Sequence, residues 1–115
     1  MTTLQEFLLS PSRDVPAEVV LEGIFVISRG QAYLACSFDE KDDLTKAVAL
    51  DYEQSKALLL SKVPAYGGGP YLYCDQAVIE GTVVPAQDSN APRFKFHEIA
   101  SFALTRRNHR FQVLP

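Results

Sequence analysis

Two stretches of this chain, Val19–Ile27 (VVLEGIFVI) and Ala77–Val84 (AVIEGTVV), constrain its fold more than any other feature. Both are apolar and rich in Val and Ile, whose branched side chains favour extended backbone. Both are interrupted by the same pair, Glu22-Gly23 and Glu80-Gly81. A glycine inside a strand lets it bend or bulge sharply. Two bent strands of matching pattern predict a small, strongly curved sheet that closes on itself.

The remaining elements follow in order. Thr2–Leu9 predicts a short amphipathic helix: Thr3 and Glu6 have capping-box spacing, and Leu4, Phe7 and Leu8 share a face. At that length it must dock, on its own domain or as an arm on a partner. Glu18–Ser28 is the first long strand, apolar on both faces and therefore expected to be covered on both. Ser28-Arg29-Gly30-Gln31 turns the chain, with Gly30 suited to positive φ. Gln31–Phe38 is the second strand, and Lys46–Leu50 the third. Asp51, with Gln54 three residues on, caps a helix over Tyr52–Lys62 whose apolar face is Leu58, Leu59 and Leu60; Pro64 ends it. An aromatic-glycine segment, Tyr66–Tyr73, precedes the fourth strand, Ala77–Pro85. Arg93–Thr105 is the fifth, Asn108-His109 a turn, and Phe111–Leu114 a short last strand.

With 115 residues of which 47% are apolar, the chain is one domain that buries a core without disulfide or metal support. The expected division is an N-terminal arm to residue 17, a barrel over 18–105 and a C-terminal strand over 106–115. Net charge is −3, which weighs against non-specific nucleic-acid binding. Yet from Pro92 onward Arg93, Lys95, Arg106, Arg107 and Arg110 face one acid, Glu98, so a local basic strip stays open. Cys36 and Cys74 lack the spacing of a metal or redox pair; reduced thiols are favoured, with a disulfide left open. No secretory signal and no membrane-length apolar run are seen, so a cytoplasmic protein is the expectation.

The order strand, strand, strand, helix, strand, strand resembles the OB-fold, a small Greek-key barrel. VVLEGIFVI, QAYLACSF, KAVAL, YEQSKALLLSK, AVIEGTVV and RFKFHEIASFALT carry the resemblance. It implies a mainly β, five- to six-stranded barrel, closed where the glycine-bent first strand meets the fourth, with the helix between strands three and four plugging one end. An open α+β sheet with the helix on one face is the alternative. The resemblance further implies binding along strands two and three and the loops joining strands one to two and four to five. Mapped onto this chain, that surface takes in Arg29, Gln31, Tyr33, the region of Lys46, the loop Asp88–Asn90, Arg93 and Lys95.

Arg29, Tyr33, Arg93, Lys95 and Phe94 would supply the cations and rings that single-stranded nucleic acid needs, or else are ordinary surface residues with Tyr33 and Phe94 partly in the core. The dense carboxylates of Asp39–Asp43 would repel phosphates, and they lack the alternation and glycine of a calcium loop. Gly67-Gly68-Gly69-Pro70 has no following Lys-Ser/Thr and opens no helix, so it is no phosphate cradle. Tyr66, Tyr71 and Tyr73 beside those glycines have the composition of a protein-binding surface, or else cover the barrel end. His97-Glu98, His109, Cys36, Cys74 and Asp75 are the only catalytic candidates; they form no recognisable set, and neighbouring positions put His97 and Glu98 on opposite strand faces. The sequence thus points to a non-enzymatic module without cofactor or metal, binding a protein partner as a small inhibitor, immunity or accessory protein of bacterial type. A single-stranded nucleic-acid binder is the rival, and a homodimer built through the strand edge near Phe111–Leu114 is third.

Overall fold

The structure, a computed structural model, describes residues 2–9, 17–64, 71–86 and 92–114. Its elements are β1 (Thr2–Thr3), α1 (Leu4–Leu9), β2 (Ala17–Ser28), β3 (Gln31–Ala35), a 3₁₀ turn (Leu44–Lys46), β4 (Ala47–Leu50), α2 (Tyr52–Leu60), β5 (Tyr71–Pro85), β6 (Phe94–Arg106) and β7 (His109–Leu114). Five strands close a ring in the order β2-β3-β4-β6-β5 and back to β2. All contacts in the ring are antiparallel except β4 with β6, which is parallel through Val48/Phe94 and Ala49/Lys95. That is the OB-like Greek-key order, with α2 between its third and fourth strands. Two strands lie outside the ring: β7 pairs with β6, and β1 pairs with β2 at Leu21 and Glu22.

The closure runs along β2 and β5, from Ala17/Val83 to Ser28/Tyr71. Both glycines sit on this seam, opposite Ala77 and Val19 respectively. Neither has a positive φ; both are required for space. A Cβ on Gly23 would lie 2.5 Å from the Ala35 carbonyl oxygen, and one on Gly81 2.1 Å from that of Glu98. Around Gly81 the β5–β6 register slips twice, leaving His97 and Ala100 without partners on β5. These bulges sharpen the strand's bend and curl the sheet into a barrel.

Inside, Leu21, Phe25, Ile27, Leu34, Val48, Tyr73, Ile79, Phe102 and Leu104 are buried together, with Leu59 of α2 among them. Phe25 and Phe102 meet edge-on at 5.0 Å. The N-terminal helix docks on its own domain: Leu4 and Phe7 enter the core, and Phe7 meets Phe94 edge-on at 5.8 Å. Each such burial contributes roughly 1.5–3 kcal/mol, which outweighs the marginal stability of so short a helix. Glu6 N–H donates to Thr3 Oγ1, and Gln54 N–H to Asp51 Oδ1, as the capping patterns predict.

Several boundaries differ from expectation. β5 begins six residues early, at Tyr71, because the Tyr73–Gln76 backbone pairs with β2. β3 ends at Ala35, and the chain then leaves the sheet. The second hairpin turns at Arg107-Asn108, both at positive φ, so His109 opens β7. Arg29 and Gly30 form the equivalent left-handed pair between β2 and β3, the arrangement that matches strand twist. Of the three leucines of α2 only Leu59 is buried, and Leu60 is 51% exposed. His97 and Glu98 are both exposed, because the bulge at His97 breaks the alternation of faces.

Candidate functional site

The wall where the resemblance places a ligand is the outer face of β3 and β4, and this chain covers it itself. Ile24, Val26, Tyr33, Ala35 and Ala47 form a second apolar cluster outside the barrel, with Leu44, Tyr71 and Cys74 packed on it. The connection from Cys36 to Lys46 folds back over that cluster as a cap. Its backbone turns on itself through Glu40 N–H to Ser37 O and Asp43 N–H to Glu40 O. Two tyrosines tie it down. Tyr33 donates its hydroxyl to the Lys41 carbonyl at 2.6 Å, and Tyr71 donates to the Asp42 carboxylate at 2.6 and 2.7 Å. The Lys41 ammonium lies 5.6 Å from the Tyr71 ring centroid, and Lys46 pairs with Glu40 at 2.6 Å.

These contacts make both phenols harder to ionise. The hydrogen bond to Asp42 pushes Tyr71 up to about 12, since ionising the phenol would set two anions face to face. Burial, and then the Asp42 charge, raises Tyr33. Tyr33, offered by the sequence as a stacking ring or a partly buried one, is 4% exposed and stands as a strut beneath an acidic cap.

Tyr71 and Tyr73 flank a register slip between Ile27 and Ser28, so Tyr71 packs outside the barrel and Tyr73 inside. Tyr73 is fully buried and donates to the Val63 carbonyl at 2.6 Å; its ring offers no face to a partner. Tyr66 and the Gly67–Pro70 segment lie outside the described residues, as does the loop Asp88–Asn90. Next to Tyr73, buried Asp75 accepts a bidentate pair of bonds from Arg106, Nε at 3.0 Å and Nη2 at 2.8 Å, while Nη1 donates to the Pro64 carbonyl at 2.7 Å. One guanidinium thus ties β5, β6 and the exit of α2 together. With both oxygens engaged, Asp75 is placed as a structural ion-pair partner.

Cys36 and Cys74 are free thiols. Cys36 packs against the barrel core and Cys74 against the cap cluster. Burial foremost, with neighbouring carboxylates, pushes both thiols up, so they stay protonated and poorly nucleophilic near neutrality. Among the described residues no group of three or more His, Cys, Asp or Glu side chains is placed to hold a metal, and no helix is long and apolar enough to cross a membrane.

Of the sequence-derived site residues, Arg29, Arg93 and Lys95 are exposed, at the β2–β3 turn and the start of β6. Lys95 opens onto a groove of about 720 Å³ between α2 and β6, which the sequence did not reveal. The groove exists because β4 leaves β6 after Ala49/Lys95, whereas β7 joins it only at Phe102. Leu58, Ile99, Phe102 and Leu114 line one end; Asp51, Gln54, Lys95, His97 and Glu98 line the other, together with Leu50 and Phe96. A smaller depression of about 220 Å³ adjoins it at Glu98-Ile99 and is walled by Glu18 and Glu80.

No protein-family model matches the chain, and neither a curated protein nor a solved structure matches it significantly. Strand order and site geometry therefore carry the functional reading.

Proposed function

We propose that this chain is a non-enzymatic binding domain whose partner is a protein. The observation that carries the reading is the covered wall. Where an OB-like domain would lay bases on strands two and three, this chain lays its own segment, held by Tyr33 and Tyr71. Asp39, Glu40, Asp42 and Asp43 outnumber Lys41 and Lys46 on that cap, a field that repels a phosphate backbone. A concave surface away from the cap is the groove beside α2, part apolar and part charged, which is the composition of a protein-binding patch. The nucleophile candidates point the same way, since both thiols are held protonated and Asp75 is locked to Arg106.

The test is a pair of fluorescence-polarisation titrations at low salt, one with labelled single-stranded oligonucleotides and one with a labelled random-peptide pool. Flat oligonucleotide curves with saturable peptide binding are expected. Micromolar oligonucleotide binding that weakens steeply with salt would replace this reading with the nucleic-acid one, carried by Arg29, Arg93 and Lys95. Sedimentation across concentration covers the third reading: a dimer lost on substituting Phe111 to Pro in β7 would assign the chain to self-association through that edge.

A further inference from the structure

The groove between α2 and β6 is graded from one end to the other, and the gradient follows from how its walls are built. Asp51, Gln54, Ser55 and Leu58 are spaced as one helical face, so a single stripe of α2 forms one wall. Beyond Leu50 the chain turns from β4 into α2 beside Lys95, and at the far end of the helix Pro64 is bound by Arg106. The helix therefore runs alongside β6, with Asp51 near Lys95 and His97, and Leu58 near Phe102 and Leu114. The charged groups gather at one end of the groove, beside Leu50 and Phe96, and the other end is apolar.

The strand edge in the groove does not favour simple strand addition. From His97 to Ser101 no described strand pairs with β6 on this side, but the bulges at His97 and Ala100 interrupt the regular ladder. Bulges protect an edge from backbone pairing. Recognition here must come from side chains.

The charges decide which side chains. Two carboxylates, Asp51 and Glu98, line the polar end with one ammonium, Lys95. Past Glu98 the adjoining depression adds Glu18 and Glu80, and among the described residues no Lys or Arg lines it. We propose that this groove binds a short linear peptide carrying an apolar anchor and, close to it in sequence, a lysine or arginine. The anchor seats on the partly exposed Leu58, Ile99 and Leu114, with buried Phe102 beneath them, and the cation lies against Glu98. The volume of about 720 Å³ falls within the roughly 300–1,000 Å³ of sites that enclose a small ligand. The inference rests on the protein-binding reading and specifies its site and its ligand chemistry.

The experiment is polarisation of fluorescein-labelled heptapeptides against the full chain, in matched sets: apolar anchor with Lys, the same anchor with Glu, and Ser in place of the anchor. The expected order has the Lys peptide tightest, with loss of the anchor weakening binding by about tenfold or more. Glu98→Lys, on the exposed edge, should weaken the Lys peptide by roughly two- to fivefold and reverse the preference towards the Glu peptide. Leu58→Gln should weaken both peptides, with the melting curve confirming that the variant is folded. Unchanged preference in Glu98→Lys overturns the proposal. So does a peptide that binds but shifts amide resonances away from α2 and β6; that result leaves the protein-binding reading standing. Absence of binding by every peptide overturns the site and counts against the parent reading too.

Discussion

Replacing Gly81 with Ala tests the close approach of β5 to β6 with a single carbon atom. The added Cβ would lie 2.1 Å from the Glu98 carbonyl oxygen, 3.1 Å from Ile99 Cα and 3.2 Å from the Glu98 carbonyl carbon. The first is more than an ångström short of ordinary contact, and every obstructing atom is backbone. No side chain can rotate away, so β5 and β6 must separate at the bulge. Overpacking of this kind costs about 1–3 kcal/mol, and a backbone obstruction belongs at the upper end. Reduced freedom of the unfolded chain returns about 0.4–1 kcal/mol. The net expectation is a loss of about 2–3 kcal/mol, a large part of a typical 5–15 kcal/mol total, and a fall in Tm of about 10–15 °C. Gly30→Ala is the control. Its Cβ would meet nothing within 4 Å, and only its φ of +76° is unfavourable, at about 1 kcal/mol. Urea and thermal unfolding followed by far-ultraviolet circular dichroism rank the two. Gly81→Ala within about 0.5 kcal/mol of the parent, or less damaging than Gly30→Ala, would refute the tight crossing of β5 and β6.

Three further outcomes follow from the ion pair, the cap and the thiols. Arg106→Met, which strands buried Asp75, should cost about 3 kcal/mol in urea unfolding and Asp75→Asn, which leaves the half-buried Arg106, less, while the double replacement costs less than the two together; additive losses would deny the coupling. Phenolate absorbance should show Tyr71 titrating at about 12, returning towards the ordinary value of about 10 in Asp42→Asn. Because the folded value is raised, this contact supports the fold below about pH 10 and is lost as pH climbs towards 12; an unchanged titration in Asp42→Asn would remove the tether. Cys36 and Cys74 should react with iodoacetamide more slowly in the folded chain than in urea at about pH 8, and equal rates would contradict their raised thiols.

The barrel was legible because its strongest determinants are local. The two Glu-Gly strands, the Asp51 cap and the Arg29-Gly30 turn each announce themselves within a few residues. What escaped depends on contacts between distant positions. Asp75 interrupts the apolar alternation of β5, and its ion-pair partner Arg106 stands 31 residues later, so the sequence pattern places the strand's start at Ala77. The cap over Tyr33 was hidden because nothing near it in sequence indicates that Cys36–Lys46 folds back, pinned through Tyr71, which is 29 residues from Asp42. The groove was hidden for a related reason. It depends on where β4 leaves and β7 joins β6, and on bulges that put His97 and Glu98 both in solvent.

Every placement of Arg29, Tyr33, the cap and the groove depends on β2 lying beside β5 while β4 meets β6. Cross-strand Hα–Hα contacts in a nuclear Overhauser spectrum of the labelled chain test this directly. Contacts at alternate pairs along Val19/Gly81 to Ile27/Tyr73, together with contacts linking Val48 to Phe94, are the predicted result. A spectrum that shows the β2–β3 and β6–β7 hairpins but neither of those seams would mean an open sheet, and would contradict the account.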